Sequence, residues 1–282
     1  MTATENATAL RPLHTQAPVD RYLADMWSRR DFAVAMPVEQ IRASHQDTLL
    51  GNIWHLGNPM LNVAVYYLVF GLMLNTDRGI RNFILWLTVG VFAYRLTQAS
   101  VTGGARSISR NQGLLRSLRF PRALLPVSEV ISRLLTFGFE LGVLAVLAVG
   151  TGEGVSRRWL ALPFVILVHT MLNLGGAFIT ARLNDSFRDV EQIVPYMFRL
   201  LRYVSGVMFP IERYLDNATT APHIQRIFNL NPLVDLINLY RWVFLGLPME
   251  LFQVAQLVVV SSLVLMVGFW YFRRAELRYG RS

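Results

Sequence analysis

The chain predicts an all-α integral membrane protein: six transmembrane helices, an N-terminal amphipathic interfacial helix and short extracytoplasmic re-entrant helices. Three observations carry this prediction. Of 282 residues, 53% are hydrophobic and only 16% are charged, and the mean hydropathy is +0.37. Six stretches reach or approach the roughly 20 apolar residues that a helix needs to cross the hydrocarbon core. Arginines also gather in alternate connections, as the positive-inside rule requires.

Two absences remove whole classes of chemistry. The chain has no cysteine, so disulfide frameworks, thiolate metal sites and cysteine nucleophiles are all excluded. All 27 basic residues are arginine. A phosphate-cradling loop of the Walker type needs a lysine ammonium, so any ATP that drives this protein is bound by a partner chain. The net charge of +9 does not indicate a nucleic-acid partner, because the apolar runs leave little soluble face on which to gather it.

The elements follow in order. Residues 1–27 read as a polar, disordered cytoplasmic N-terminus, and "MTATENATALRPLHTQAPVD" is punctuated by proline. Residues 28–57 read as an amphipathic interfacial helix with a break near Pro37, with Val38, Ile41 and Leu49 along one side and Arg42 and Gln46 among the polar residues. Trp54 would sit at headgroup depth. The spans are expected at 58–76, 82–102, 125–149, 158–180, 190–210 and 251–272, followed by a cytoplasmic tail over 273–282. Gly103 and Gly104 are expected to end the second span. With both termini inside, the cytoplasmic segments hold sixteen arginines and the outer ones seven. No apolar signal-peptide core precedes the first span, which would serve as its own insertion signal.

Between the second and third spans lies "SISRNQGLLRSLRFPRALLPV" (107–127). On a 100° wheel, Ile108, Leu114, Leu115 and Leu118 group together, while Arg106, Arg110 and Arg116 point away. Two readings of this segment stand side by side. Its arginines hold anionic headgroups, or its apolar side docks into a groove on a cytoplasmic partner.

Several polar residues fall inside the apolar runs. Glu129, Arg133 and Glu140 lie near one helix face and read as an internal ion-pair set. Arg95 either snorkels toward an interface or lines a path, and His169 reads as a hydrogen-bonded packing residue. Asp185, Asp189 and Glu191 form the best acidic cluster. They read as a salt-bridged cap, or alternatively as the metal or base site of a membrane-embedded polyprenyl-phosphate transferase. Residues 211–250 alternate polar turns with apolar segments too short to span, which reads as re-entrant structure lining a cavity. A secondary transporter is disfavoured, since neither an internal repeat nor a matched pair of interrupted spans is present.

A resemblance sharpens this reading. "LLGNIWHLGNP" (49–59), "RFPRALLPVSEVISRLL" (119–135), "FRDVEQIV" (187–194), "VSGVMFPIE" (204–212) and "LNPLVDLINLYRWVFLG" (230–246) occur in the order and spacing of the ABC-2 type permeases that export O-antigen and teichoic-acid polysaccharides. The similarity runs from about residue 38 to the C-terminus. It implies a coupling helix at about 107–118 (Ser109, Arg110, Asn111, Leu114, Leu115, Leu118) seated in a separate ATPase subunit. It also implies a gate helix containing Gly51 and Trp54. Two copies of the chain would form the pore, with two ATPase subunits binding ATP and Mg and no cofactor in this chain. The cargo implied is a polyprenyl-diphosphate-linked glycan crossing the bacterial plasma membrane. Arg42, Arg95, Arg199 and Arg202 are then candidates for its diphosphate path, and Tyr196, Phe198 and Tyr203 for its glycan channel. Where many relatives read Ser-Pro, this chain has Ser205-Gly206. An all-arginine, alanine- and valine-rich composition suits a GC-rich, actinobacterial source, for which the resemblance points to galactan export. An ABC-2 exporter of a drug or small lipid is the nearest alternative.

Overall fold

The computed structural model describes residues 18–43, 53–73, 79–118, 120–208, 230–276 and 279; within these, the side chains of 38–43, 53–56, 58 and 59 are left aside. The described residues form helices and connections. Chain order gives α1 (Val19–Ser28), α2 (Arg30–Ala43), α3 (Ile53–Tyr66) running on as a π-helical stretch (Tyr67–Met73), and α4 (Phe83–Ser107). There follow α5 (Gln112–Ser117), α6 (Leu124–Gly150), α7 (Leu162–Ser186), α8 (Val190–Tyr203), α9 (Pro232–Leu245) and α10 (Leu251–Arg274). Among the described residues, four helices are long and apolar enough to cross a membrane: α4, α6, α7 with the 3-10 turn before it, and α10. Met60–Met73 is a shorter apolar helix.

Helix ends follow local chemistry. Asn82 takes the left-handed conformation (φ 56°) that asparagine tolerates, and its side-chain amide donates to Thr151 Oγ1 at 2.7 Å. α9 opens on Asn231, whose side chain accepts from Leu233 N at 3.1 Å, with Pro232 in the first turn. It closes on Gly246 at φ 69°, where any Cβ would overlap the Arg158 guanidinium. A reciprocal Glu250 and Gln253 capping box starts α10.

The bundle is held at glycine crossings. A Cβ on Gly104 would lie 2.5 Å from that of Ala177, so α4 and α7 meet backbone to backbone. A Cβ on Gly175 would lie 2.5 Å from the Val264 carbonyl carbon, which brings α7 equally close to α10. Gly103 faces the Glu129 side chain of α6. These contacts correct one expectation: Gly103 and Gly104 do not end the second span, because α4 continues through them to Ser107. The glycines serve close packing there.

Buried polar pairs register the spans against one another. His169 on α7 bridges Thr97 on α4 (2.8 Å) and the Tyr240 hydroxyl on α9 (3.1 Å). Thr180 donates to the Val101 carbonyl across the α7–α4 contact at 2.9 Å. Glu140 pairs with Arg95 at 3.3 Å, so Arg95 is an ion-paired residue of the bundle rather than a free snorkelling one. Glu129 instead pairs with Arg133 one turn away, which divides the expected triad into two pairs.

Two further differences concern the N-terminal half. Residues 19–27, expected disordered, form α1, because Tyr22 anchors it in the bundle. α2 continues through Pro37 as one helix, where a break was expected. The fifth apolar stretch is helical over 14 residues, about 21 Å at 1.5 Å per residue, short of a hydrocarbon core. The expected re-entrant region at 211–250 lies outside the described residues up to 229, and α9 and the turn before α10 form its described part.

Candidate functional site

One end of the bundle is closed by a node that ties α1 and Glu276, just after α10, to the α4–α6 connection. Tyr22 donates from its hydroxyl to Glu276 Oε1 at 2.6 Å, and the same oxygen accepts from the Arg122 amide at 3.0 Å. The Arg122 guanidinium reaches the Glu276 carbonyl, and Ala123 N donates to the Tyr22 hydroxyl at 3.2 Å. Burial pushes the Glu276 carboxyl above its ordinary range, against the Tyr22 and Arg122 hydrogen bonds that pull it down. Burial raises the Tyr22 phenol first, and neighbouring Glu276 adds to it. Below the node, Ile108, Leu115, Ala123, Phe178, Phe272 and Tyr279 form a closed apolar cluster.

That cluster decides which side of the connection is available. Leu115 is buried within it and Leu114 is packed against it, so these two residues of the expected docking set face the chain's own core. Asn111 bonds back to the Ser107 carbonyl at 2.8 Å and is half-buried. Ser109, Arg110 and Leu118 of that set remain exposed, and Gly113, Arg116 and Ser117 are exposed with them. The 100° wheel grouped Ile108, Leu114 and Leu115 correctly, with Arg110 and Arg116 away from them, and misplaced Leu118, because no single helix runs from 106 to 118. A turn at Ile108 and a 3-10 segment at Ser109–Asn111 interrupt it, and Leu118 is extended (ψ 142°).

Arg106 pairs with Glu191 at 2.9 Å and so joins the end of α4 to the start of α8. Asn184 accepts from the Glu191 amide at 3.0 Å, and Arg182 pairs with Asp185 at 3.3 Å. Two of the three carboxylates considered for a transferase site are therefore held in ion pairs, and among the described residues no cluster with metal-ligand geometry forms.

α8 carries the other half of the site. Ile193, Tyr196, Met197, Leu200, Tyr203 and Val204 recur at helical spacing and are all exposed, while Val194 and Phe198 face inward. Arg199 is exposed beside this stripe with its guanidinium 4.7 Å from the Tyr196 ring. Arg202 turns inward: it donates to the Tyr66 hydroxyl at 2.5 Å and to Gln98 at 2.6 Å, which ties α8 to α3 and α4. Phe198 is likewise internal, edge-on to Tyr94, whose hydroxyl donates to the Phe198 carbonyl. Of the residues expected along a path, Arg199, Tyr196 and Tyr203 share an exposed face, and Arg95, Arg202 and Phe198 do not. Gly51 lies outside the described residues, as do the side chains of Arg42 and Trp54; the Trp54 backbone belongs to α3.

The family model for ABC-2 type transporters matches residues 35–245. The chain belongs to that family. Among curated relatives of this ABC-2 chain, the O-antigen export system permease protein RfbA of Myxococcus xanthus is 28% identical over 224 residues, 79% of this chain and 84% of the relative. The protein of the same name from Klebsiella pneumoniae is 23% identical over 250 residues, 88% and 93% of the two chains. The polysialic acid transport protein KpsM of Escherichia coli is 22% identical over 251 residues, covering 86% and 92%.

Proposed function

We propose that this chain is the membrane permease of an ATP-binding-cassette exporter that moves a polyprenyl-diphosphate-linked polysaccharide across the bacterial plasma membrane. The observation that carries the reading is the extent of the likeness: it runs through 84% to 93% of permeases named for O-antigen export. In this reading the stretches 58–76 and 190–210, of which α3 and α8 are parts, complete six spans, 211–250 re-enters the outer leaflet and both termini are cytoplasmic. A chain with no lysine leaves ATP and Mg to a separate ATPase. The drive then reaches this chain at Ser109, Arg110, Gly113, Arg116, Ser117 and Leu118. Because Leu115 and Ile108 key this surface into the cluster shared with α1, α6, α7 and α10, a push on it displaces those helices together as a rigid body.

Two copies would meet along the exposed α8 stripe, with two ATPase subunits beneath. Tyr196 and Tyr203 offer flat, weakly bonding faces to a sliding glycan, and Arg199 offers a planar cation to its diphosphate. A cell-wall galactan is the cargo proposed, on the composition of the chain.

The test is co-purification from native membranes followed by partner identification, with Arg110→Glu/Arg116→Glu as the surface variant. The reading expects a P-loop ATPase in equal amount and its release by the variant at unchanged membrane expression. Absence of any ATPase sinks it. Depletion of the chain should accumulate lipid-linked glycan on the cytoplasmic side; loss of resistance to small amphiphiles without that accumulation favours a drug or lipid exporter.

A further inference from the structure

α1 (Val19–Ser28) precedes residues 35–245, the part of the chain that matches the family model, so the family match gives it no role. One side of it is anchored. Tyr22 is only 6% exposed, its ring centroid lies 6.1 Å from that of Phe269, and the Arg273 guanidinium stands 5.2 Å from the same ring. Met26 packs against the apolar cluster below the node. At 100° per residue, Val19, Leu23 and Trp27 fall on one flank of that anchored side, and Arg21, Asp25 and Ser28 fall on the other. The three apolar side chains are therefore turned neither into the bundle nor among the charges. They are exposed at 49%, 48% and 70%.

The place of α1 along the bundle says what covers this stripe. Of the four long helices α10 is the most apolar and the least buried, so its outer face meets acyl chains. That face ends at Trp270, 54% exposed, with the Arg274 guanidinium stacked 3.4 Å from its ring centroid. An aromatic and basic pair at the end of a span marks the boundary between acyl chains and headgroups. Phe269 and Arg273, the residues that meet the Tyr22 ring, are the immediate sequence neighbours of that pair. α1 therefore lies at headgroup depth beside the end of a lipid-facing helix. Trp27 repeats the pattern of Trp270, with the Arg30 guanidinium 5.1 Å from its ring.

We propose that α1 is a membrane-surface anchor: Val19, Leu23 and Trp27 insert at the headgroup–acyl boundary of one leaflet, and Tyr22 thereby pins the α4–α6 connection to the plane of the bilayer. An in-plane helix needs an apolar flank, a charged flank opposite it and a length too short to span, and α1 has all three. Within α1, Arg21 is offset by Asp20 and Asp25, so apolar burial rather than headgroup charge supplies the attraction. The pin is the node: the Tyr22 hydroxyl accepts from Ala123 N and donates to Glu276, and Glu276 also accepts from the Arg122 amide. Lipid is the occupant that the depth selects, since a soluble partner would have to reach the stripe through the headgroups. The proposal is independent of the cargo and of the ATPase.

The chain has no cysteine, so single spin labels can be placed on it without background. The test places them at Leu23→Cys, at Trp27→Cys and, on the charged flank, at Arg21→Cys, in the full-length chain held in nanodiscs of phosphatidylglycerol and phosphatidylcholine. All three positions are exposed, so the variants keep the fold. Labels at 23 and 27 should meet dissolved oxygen severalfold more than a water-soluble nickel chelate, and the label at 21 should show the reverse. Equal chelate access at all three positions leaves the stripe in water and overturns the proposal. Exclusion of both reagents at 23 and 27 means that protein covers the stripe, which overturns it equally. The pinning is read from a label at Ser117→Cys, on the exposed side of the connection. Lifting the stripe with Leu23→Asp/Trp27→Asp should raise the mobility of that label. An unchanged spectrum at 117, with a label at Val19→Cys reporting the stripe in water, overturns the pinning.

Discussion

α4 and α10 both qualify as spans by hydropathy, yet they occupy opposite environments. α4 has the lower value, 1.2, and 78% of its apolar window is buried inside the chain; α10 has 2.1, and only 17% is buried. The ordering is the reverse of a soluble protein's. In a bilayer the most apolar surroundings are the lipid tails, so the most hydrophobic helix lies outside, and the helix carrying Thr97, Arg95, Gly103 and Gly104 lies inside. A span interrupted by small and polar residues is therefore a central one.

The sharpest way to break this comparison is to enlarge a crossing. Gly104→Leu or Gly175→Leu pushes side-chain atoms into Ala177 or the Val264 backbone, where nothing flexible can yield. Loss of folded, monodisperse protein is expected, since overpacking costs about 1–3 kcal/mol even where neighbours relax. Leu115→Glu should act similarly, because it buries a charge within the cluster of Ile108, Phe178 and Phe272. A mutant that folds normally and only loses its partner would return Leu115 to the outer surface.

Next in size is Glu140→Ala, which strands Arg95 within the bundle. Arg95 is about a third exposed, so the expected cost is about 1–3 kcal/mol, below that of a fully buried pair. Arg95→Met/Glu140→Leu should recover most of it in thermal unfolding. Removing the His169 bridge, by Thr97→Val, should cost about 1 kcal/mol. A fourth measurement is the pH dependence of the node. Glu276 has its folded value raised, so its contribution is complete below the ordinary glutamate range and is lost as pH rises through the raised value. Glu276→Gln should flatten that slope in a thermal-unfolding series. The smallest effect belongs to α10's outer face: Met266→Leu or Val267→Leu should change stability by less than about 0.5 kcal/mol.

Where the sequence could be read, long unbroken apolar runs made it readable. The expectation for α6 was 125–149 and the helix is Leu124–Gly150; for α10 it was 251–272 and the helix is Leu251–Arg274. Short segments defeated it. α1 has only ten residues, and its place depends on a Tyr22 hydroxyl meeting Glu276, 254 positions away, a contact that leaves no local periodicity. The exposed face of the α4–α6 connection was half identified: Ser109, Arg110 and Leu118 of the expected docking set are exposed and Arg116 points away from the apolar side as read, but Leu114 and Leu115 face the chain's own core, which only the tertiary contacts of α5 could show. Arg202 and Phe198 were placed on a path by their residue type and proved internal, because Tyr66, Gln98 and Tyr94 claim them.

The sequence by itself determined the membrane class, the long spans, the exclusion of a nucleotide loop and the motifs that resemble polysaccharide permeases. Each follows from what residues are, one at a time or in a run. The tertiary structure alone decided which helix is central, which arginines carry ion pairs and which leucines of the connection face outward. Those are properties of pairs of residues far apart in the chain, and their energies exist only once the backbone brings the partners within contact.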